Sequence, residues 1–149
     1  MDDFSIEEAL AEYGRILEVP AGRSMEPMLR DRRDTMVLAG LKREPRRGDV
    51  VLFRDRSGGH TLHRVIKKKK DGYLTRGDNC VRSDGVCPRE AVVGILEGFY
   101  KGEKYYDCSS SPAYKLYVAY VRLSYLPRRA ANGARSLLKK LKRRTDEKR

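Results

Sequence analysis

The pattern of hydrophobic and polar positions changes twice along the chain and predicts helices on both sides of a β-rich middle. Near the N-terminus, Ser5 and Glu8 have the spacing of a capping box, which begins a helix. The apolar positions that follow at helical intervals are Ile6, Leu10, Tyr13 and Leu17. We therefore predict a short amphipathic helix within residues 1–18.

In the middle of the chain, short apolar runs alternate with turn residues, a pattern that is typical of strands. The predicted strands are residues 35–39, 49–53, 61–66, 73–75 and 92–96. Residues 67–72 contain four lysines followed by Asp-Gly, which predicts a solvated hairpin turn between two of these strands. The sequence thus predicts a mainly β fold.

From residue 114 the helical pattern returns. Leu116, Tyr117, Tyr120 and Val121 share one helical face, and we predict that Pro127 ends this first helix. A second helical stretch follows, in which leucines 137, 138 and 141 are set among lysines and arginines. Residues 113–149 are therefore predicted to form a basic helical tail.

Positive charge is concentrated in this tail. The 149 residues include 33 Lys and Arg against 21 Asp and Glu, a formal net charge of +12. Residues 114–149 hold 12 basic and 2 acidic side chains, hence +10, which leaves +2 for the other 113 residues. Two interpretations stay open: the tail packs on the domain, or its tyrosines, leucines and cations contact an anionic membrane surface. A nucleic-acid partner is less well supported than a membrane surface, because the tyrosines and leucines share helical faces with flanking cations, as in interfacial helices.

Several protein classes are excluded by composition. Charged residues interrupt the apolar runs of the tail, so we expect no transmembrane helix, and the acidic N-terminus does not resemble a secretory signal. We expect a cytoplasmic protein whose tail could place it on the inner face of a membrane. Cys80, Cys87 and Cys108 form no C-x-x-C pair, so we expect reduced thiols, no metal site and no cofactor.

Candidate chemistry begins with the two histidines, since few residues can serve as a general base. His60 follows a glycine-rich loop and suits a surface position, whereas His63 lies inside an apolar strand and could equally be a core residue. Ser24 lies between Gly22 and Pro27, where it could be an ordinary helix N-cap. Together, Ser24 and His63 could form a nucleophile and its base, provided that a third group orients the imidazole.

Five short motifs occur in a recognisable order. They are Gly-Arg-Ser-Met-Glu-Pro at 22–27, Arg-Gly-Asp-Val-Val-Leu-Phe at 47–53, His-Arg-Val at 63–65, Leu-Thr-Arg-Gly-Asp-Asn at 74–79 and Val-Val-Gly at 92–94. In this order they resemble the successive boxes of type I signal peptidases. The resemblance implies a catalytic domain over residues 16–112 with a signal-peptidase/LexA-like coiled β-sheet or partial barrel.

The resemblance also indicates a branch of that superfamily. Bacterial signal peptidases and LexA-type repressor proteases use serine and lysine, whereas the endoplasmic-reticulum and archaeal type places a histidine where this chain has His63. By this resemblance Ser24 is the nucleophile and His63 the general base. Asp84 and Asp78 both stand where the orienting acid could lie, and we favour Asp84. The oxyanion hole would consist of the backbone N–H groups of Ser24 and Gly22.

The resemblance implies a peptide or protein substrate, such as a leader or signal-like peptide, cut by an acyl-enzyme mechanism. An extended substrate would lie beside two segments of the domain. The predicted contacts are Met25, Pro27, Val51 and Phe53. The alternative hypothesis is a non-catalytic peptide- or nucleic-acid-binding module that has the same fold and the cationic tail.

Overall fold

The computed structural model describes residues 5–146, and its main feature is one antiparallel sheet of eight strands. The prediction of a mainly β fold with helices at both ends is confirmed. The strands are β1 (Arg15–Glu18), β2 (Thr35–Ala39), β3 (Val50–Arg54), β4 (His60–Lys68), β5 (Gly72–Arg76), β6 (Gly85–Pro88), β7 (Val92–Lys101) and β8 (Lys104–Asp107). The helices are α1 (Ile6–Tyr13), a 3₁₀ turn (Arg89–Ala91) and α2 (Pro112–Asp146).

Helix α1 begins at the predicted capping box. Ser5 Oγ accepts a hydrogen bond from the Glu8 N–H, and the Glu8 carboxylate accepts one from the Ser5 N–H, at 3.2 and 2.9 Å. The helix ends earlier than predicted, because Gly14 adopts a left-handed conformation with φ of 71° and donates its N–H to the Leu10 carbonyl. Leu17 consequently lies on β1, and the prediction that the helix includes it is wrong.

The sheet has the strand order β1-β2-β7-β3-β4-β5-β6, with β8 paired to β7. The five predicted strands are all present, with small differences at their ends. Strands β1, β6 and β8 were not predicted, since each has only four residues and none contains a continuous buried run. Strands β3 and β4 pair so that Val51 lies opposite His63, which brings the predicted motifs together.

One hydrophobic cluster lies beside His63. Its buried members are Val51, Phe53, Val65, Tyr73, Cys87 and Val92. The Phe53 ring contacts the imidazole of His63 edge-on, with 6.4 Å between the ring centres. Because alternate residues of a strand share a face, β4 presents His63 on the same side as Val65. The imidazole is thereby held against rigid, well-packed side chains.

Arg64, the neighbour of His63, is buried and makes a fork-shaped ion pair with Asp78. Its Nε and Nη2 atoms donate to the two Asp78 oxygens at 2.7 and 2.6 Å. Nη1 donates to the Gly48 carbonyl at 2.7 Å and to the Tyr114 hydroxyl at 3.0 Å. Burial opposes ionisation, but the pairing with Asp78 raises the pKa of Arg64 above its ordinary value. This group therefore joins β4, the loop after β5 and the start of α2.

Replacing Arg64 with methionine should lower the free energy of unfolding by about 3–5 kcal/mol, because it removes the two charge-assisted hydrogen bonds that the buried Asp78 carboxylate accepts from Arg64. Arg43→Met is the matched control, since Arg43 forms a similar fork with Asp49, at 2.7 and 3.1 Å, on the exposed surface. There the loss should stay below about 1 kcal/mol. Urea unfolding measures both, and equal losses would contradict a structural role for the buried pair.

The chain divides into two compact units, one ending at Lys115 and the other beginning at Leu116. Helix α2 starts in the first unit, where Ser111 Oγ accepts the Tyr114 N–H at 3.3 Å, and it continues for 35 residues. The predicted break at Pro127 is wrong: a proline removes one N–H donor, and a long helix retains its other hydrogen bonds on both sides. Across residues 5–146, no helix is both long and apolar enough to span a membrane.

Candidate active site

The centre of the site is the hydrogen bond between His63 and Asp84. His63 Nδ1 lies 2.6 Å from Asp84 Oδ2. Asp84 is held in turn by Thr75, whose Oγ1 donates to Oδ2 at 2.9 Å and whose carbonyl accepts the Asp84 N–H at 2.9 Å. Thr75 is fully buried on β5, so it provides a rigid support. The carboxylate therefore fixes the orientation of the imidazole and favours the tautomer with a proton on Nδ1.

The other imidazole nitrogen, Nε2, faces the segment that carries Ser24. A Cβ atom placed on Gly77 would lie 2.9 Å from His63 Nε2 and 2.7 Å from the Ser24 carbonyl oxygen. Both groups thus border the same small space, and only glycine leaves it open. We infer that Gly77 permits the close approach of Ser24 and His63. The motif Gly77-Asp78-Asn79 was visible in the sequence, but this role of its glycine was not.

The backbone at Ser24 is anchored to the loop after β5. The Asn79 N–H donates to the Ser24 carbonyl at 2.8 Å, and Asn79 Nδ2 donates to the Arg23 carbonyl at 3.1 Å. Ser24 Oγ makes no hydrogen bond to His63 in this structure, and His63 Nε2 has no hydrogen-bond partner within residues 5–146. Catalytic hydrogen bonds often shorten only when substrate binds, so the arrangement is compatible with a nucleophile and its base.

The two acids considered from sequence have different partners. Asp84 contacts His63, whereas Asp78 is buried against Arg64 and supports the fold. Asp78 still contributes to the site indirectly, because its backbone N–H contacts Met25 Sδ at 3.5 Å, next to Ser24. The geometry thus distinguishes the acid that contacts His63 from the acid that pairs with Arg64.

The predicted oxyanion donors also differ from each other. The Gly22 N–H donates to Asp31 Oδ1 at 2.8 Å, so it is already paired in this structure, and its role in an oxyanion hole stays a prediction. The Ser24 N–H has no acceptor in the described part of the chain. Asp31 could not be recognised as the Gly22 partner from sequence, since the two residues are joined by an irregular loop.

An apolar cavity of about 180 Å³ lies beside Ser24. Gly22, Ser24 and Met25 line it, and so do the polar residues Glu18 and His60. Its apolar lining includes Leu29, Met36, Leu38, Leu52 and Leu62. Leu52 and Leu62 are direct cross-strand partners, so β3 and β4 together form one side of the cavity. The cavity can accept an aliphatic side chain next to the candidate nucleophile.

The predicted substrate contacts agree only in part with this cavity. Met25 lines it, but Val51 is completely buried in the cluster beside His63 and cannot reach a substrate. On β3, Leu52 rather than Val51 faces this cavity. Pro27 is exposed and lines neither this cavity nor the next, and its carbonyl accepts a hydrogen bond from Lys101 at 2.6 Å.

Phe53 lies in a second, larger cavity of about 460 Å³, which also exposes the His63–Asp84 pair. The turn between β3 and β4 contributes its polar rim. The rim residues are Arg54, Asp55, Arg56, Ser57 and Thr61. His63 and Asp84 can therefore be reached from outside the domain, as a proton-transfer pair requires.

The three cysteines are unsuitable as nucleophiles. Each is a free thiol. Burial raises the pKa of Cys87 to about 11 and that of Cys108 to about 12, and burial also raises the pKa of Cys80. All three thiols are consequently protonated near neutral pH, where only thiolates attack efficiently. No group of three or more His, Cys, Asp or Glu side chains within residues 5–146 is arranged as a metal site.

Neither the protein-family models nor the curated proteins compared with this chain give a match. Functional conclusions therefore rest on the geometry of Ser24, His63 and Asp84. A hydroxyl, an imidazole fixed by a carboxylate, and a free backbone N–H are the groups that acyl transfer needs. Their neighbourhood includes an apolar cavity of side-chain size.

Proposed function

We propose that the protein is a serine endopeptidase in which Ser24 is the nucleophile, His63 the general base and Asp84 the orienting acid. The hydrogen bond of 2.6 Å between His63 Nδ1 and Asp84 is the observation that carries this proposal. It supports the proposal because it leaves Nε2 directed at the Ser24 segment in the tautomer that can accept a proton.

In the proposed reaction, Ser24 Oγ attacks the carbonyl carbon of the peptide bond while its proton passes to His63 Nε2. Asp84 stabilises the imidazolium that forms. His63 then gives the proton to the leaving amine, the C–N bond breaks, and an acyl-enzyme remains. In the second half, water attacks the ester and gives a proton to Nε2. His63 then passes this proton to Ser24 Oγ as the C–O bond breaks, so the product acid leaves and the Ser24 hydroxyl is restored.

The negative charge on the tetrahedral oxygen needs a donor that is in place beforehand. We assign this role to the Ser24 N–H, which has no other acceptor in the described part of the chain. Because Gly22 donates to Asp31, a second donor would have to come from the substrate complex or from a shift of the Gly22 loop.

We further propose a signal-peptidase/LexA-like arrangement of the sheet and a leader-like peptide as substrate. The position of Ser24 just after edge strand β1, and of His63 on β4, supports this, together with the five ordered motifs. The apolar cavity beside Ser24 favours a small or medium aliphatic side chain next to the cleaved bond, since a charged one would lose its hydration there.

A serine-directed fluorophosphonate probe tests the nucleophile without knowledge of the substrate. We expect stoichiometric phosphonylation of Ser24, located by peptide mass spectrometry, because His63 activates its hydroxyl. Ser24→Ala should abolish labelling, and His63→Ala should slow it strongly. Ser57→Ala is the matched control, since Ser57 lies on the rim of the cavity that exposes His63. Absence of labelling, or labelling that persists in Ser24→Ala, would favour the non-catalytic binding module instead.

A further inference from the structure

The unit that begins at Leu116 carries an exposed apolar stripe. Leu116, Tyr120 and Leu123 follow one another at helical intervals on one face. Leu137 and Leu138, about three heptads after Leu116, lie on the same face. These five side chains are between 53% and 75% exposed, which is unusual for so many large apolar groups on one helix. The stripe therefore requires a partner surface.

Exposed cations lie on other faces of this helix. At 100° per residue, Arg122, Lys139, Lys140 and Arg143 point away from the centre of the stripe, and all four are exposed. The sequence contains no Asp or Glu from residue 112 to residue 145, so these charges cannot be neutralised along the helix. The exposed leucines thus share one face of the helix, and exposed lysines and arginines lie on other faces.

The apolar stripe and the cations together indicate which kind of partner the helix binds. A nucleic acid would pair with the cations but would leave the apolar stripe in water. A second copy could cover the stripe but would bring together two segments of +10 charge each. An anionic lipid bilayer satisfies both features, because the leucines enter the acyl boundary while the lysines and arginines reach the lipid phosphates.

We propose that the helical segment 116–143 docks the protein on an anionic lipid bilayer, lying in the plane of the membrane interface. The stripe enters the acyl boundary, and the long lysine and arginine side chains on the other faces reach the headgroups. This docking goes beyond the peptidase proposal and does not depend on it, since no residue of the segment belongs to the Ser24 site. It is therefore measured on Ser24→Ala as well as on the unaltered chain.

Co-sedimentation with vesicles tests the proposal. The full chain should bind phosphatidylcholine vesicles that contain phosphatidylglycerol, should not bind pure phosphatidylcholine, and should dissociate at high salt. Replacing Lys139 and Lys140 with glutamine should lower the partition coefficient about 25-fold. The matched control is Lys69→Gln with Lys70→Gln, which removes the same charge from the exposed hairpin between β4 and β5. This control should leave binding unchanged.

A second pair of variants tests the stripe itself. Replacing Leu123 and Leu137 with glutamine should weaken vesicle binding at least tenfold, because each leucine loses its transfer into the acyl boundary. Leu17→Gln is the control, since Leu17 is a similarly exposed leucine on β1. Equal binding to both vesicle types would overturn the proposal. Equal loss of binding in the hairpin variant and in the tail variant would overturn it as well. So would self-association or RNA binding through the segment without affinity for anionic vesicles.

Discussion

Replacing Ser24 with alanine should lower kcat for a peptide that the unaltered protein cleaves by on the order of 10⁶-fold. The alanine variant has no oxygen that can attack the peptide carbonyl, so the acyl-enzyme cannot form. The fold should not change, since Ser24 Oγ makes no hydrogen bond in the described part of the chain. Thermal unfolding should therefore coincide for both proteins while turnover is lost.

The same prediction extends to His63, because the two residues act as one unit. His63→Ala should lose about as much activity as Ser24→Ala, and the double variant should lose no more than either single variant. Single-turnover assays with a library of peptides that carry small aliphatic residues would measure this. Ser57→Ala, the rim control, should keep full activity. Independent, additive losses for Ser24 and His63 would contradict a shared proton transfer.

The sequence and the family resemblance indicated Ser24, His63 and Asp84 as candidate site residues, and the structure places Asp84 against His63. Local patterns indicated the strand that carries His63, and a run of motifs indicated Ser24 and Asp84. The structure brings Asp84 to His63 over 21 positions of sequence, through the pairing of β4, β5 and β6. Strand pairing of this kind is non-local, which is why only the family resemblance, and no local pattern, favoured Asp84 over Asp78.

Other parts of the site depend on details that a pattern does not contain. Whether Val51 or Leu52 faces the cavity depends on the alternation of β3, and a shift of one residue exchanges the two faces. The burial of Arg64 next to His63 was equally invisible, because an arginine inside a strand is usually on the solvent side. The fork with Asp78 is what makes that burial possible.

The ends of the two helices show how a local signal and a longer apolar pattern can predict different boundaries. The left-handed cap at Gly14 ends α1, although the apolar pattern that continues to Leu17 predicted a longer helix. In α2 the reverse occurred, since the local signal at Pro127 predicted an end that the longer helical pattern overrode. Neither type of signal is dominant in general. A cap ends a helix through hydrogen bonds at one residue, whereas a long helix that loses one hydrogen bond at a proline keeps all its others.

Replacing Asp84 with asparagine should lower kcat by about 10⁴-fold and should change KM little. The asparagine side chain can donate a hydrogen bond to His63 Nδ1, which selects the tautomer with its proton on Nε2. That nitrogen can then no longer accept the Ser24 proton. Thr75, which holds Asp84 in place through its hydroxyl and its carbonyl, would remain to support the new side chain.

Asp55→Asn is the matched control for this prediction, because Asp55 lines the same cavity as Asp84 but contacts Ser57 and Thr61 rather than His63. It should retain activity within about threefold, since no catalytic contact is lost. An Asp84→Asn variant as active as Asp55→Asn would show that His63 does not depend on its carboxylate partner. A loss carried by KM instead of kcat would assign Asp84 to substrate binding, and both outcomes would contradict its role as the orienting acid.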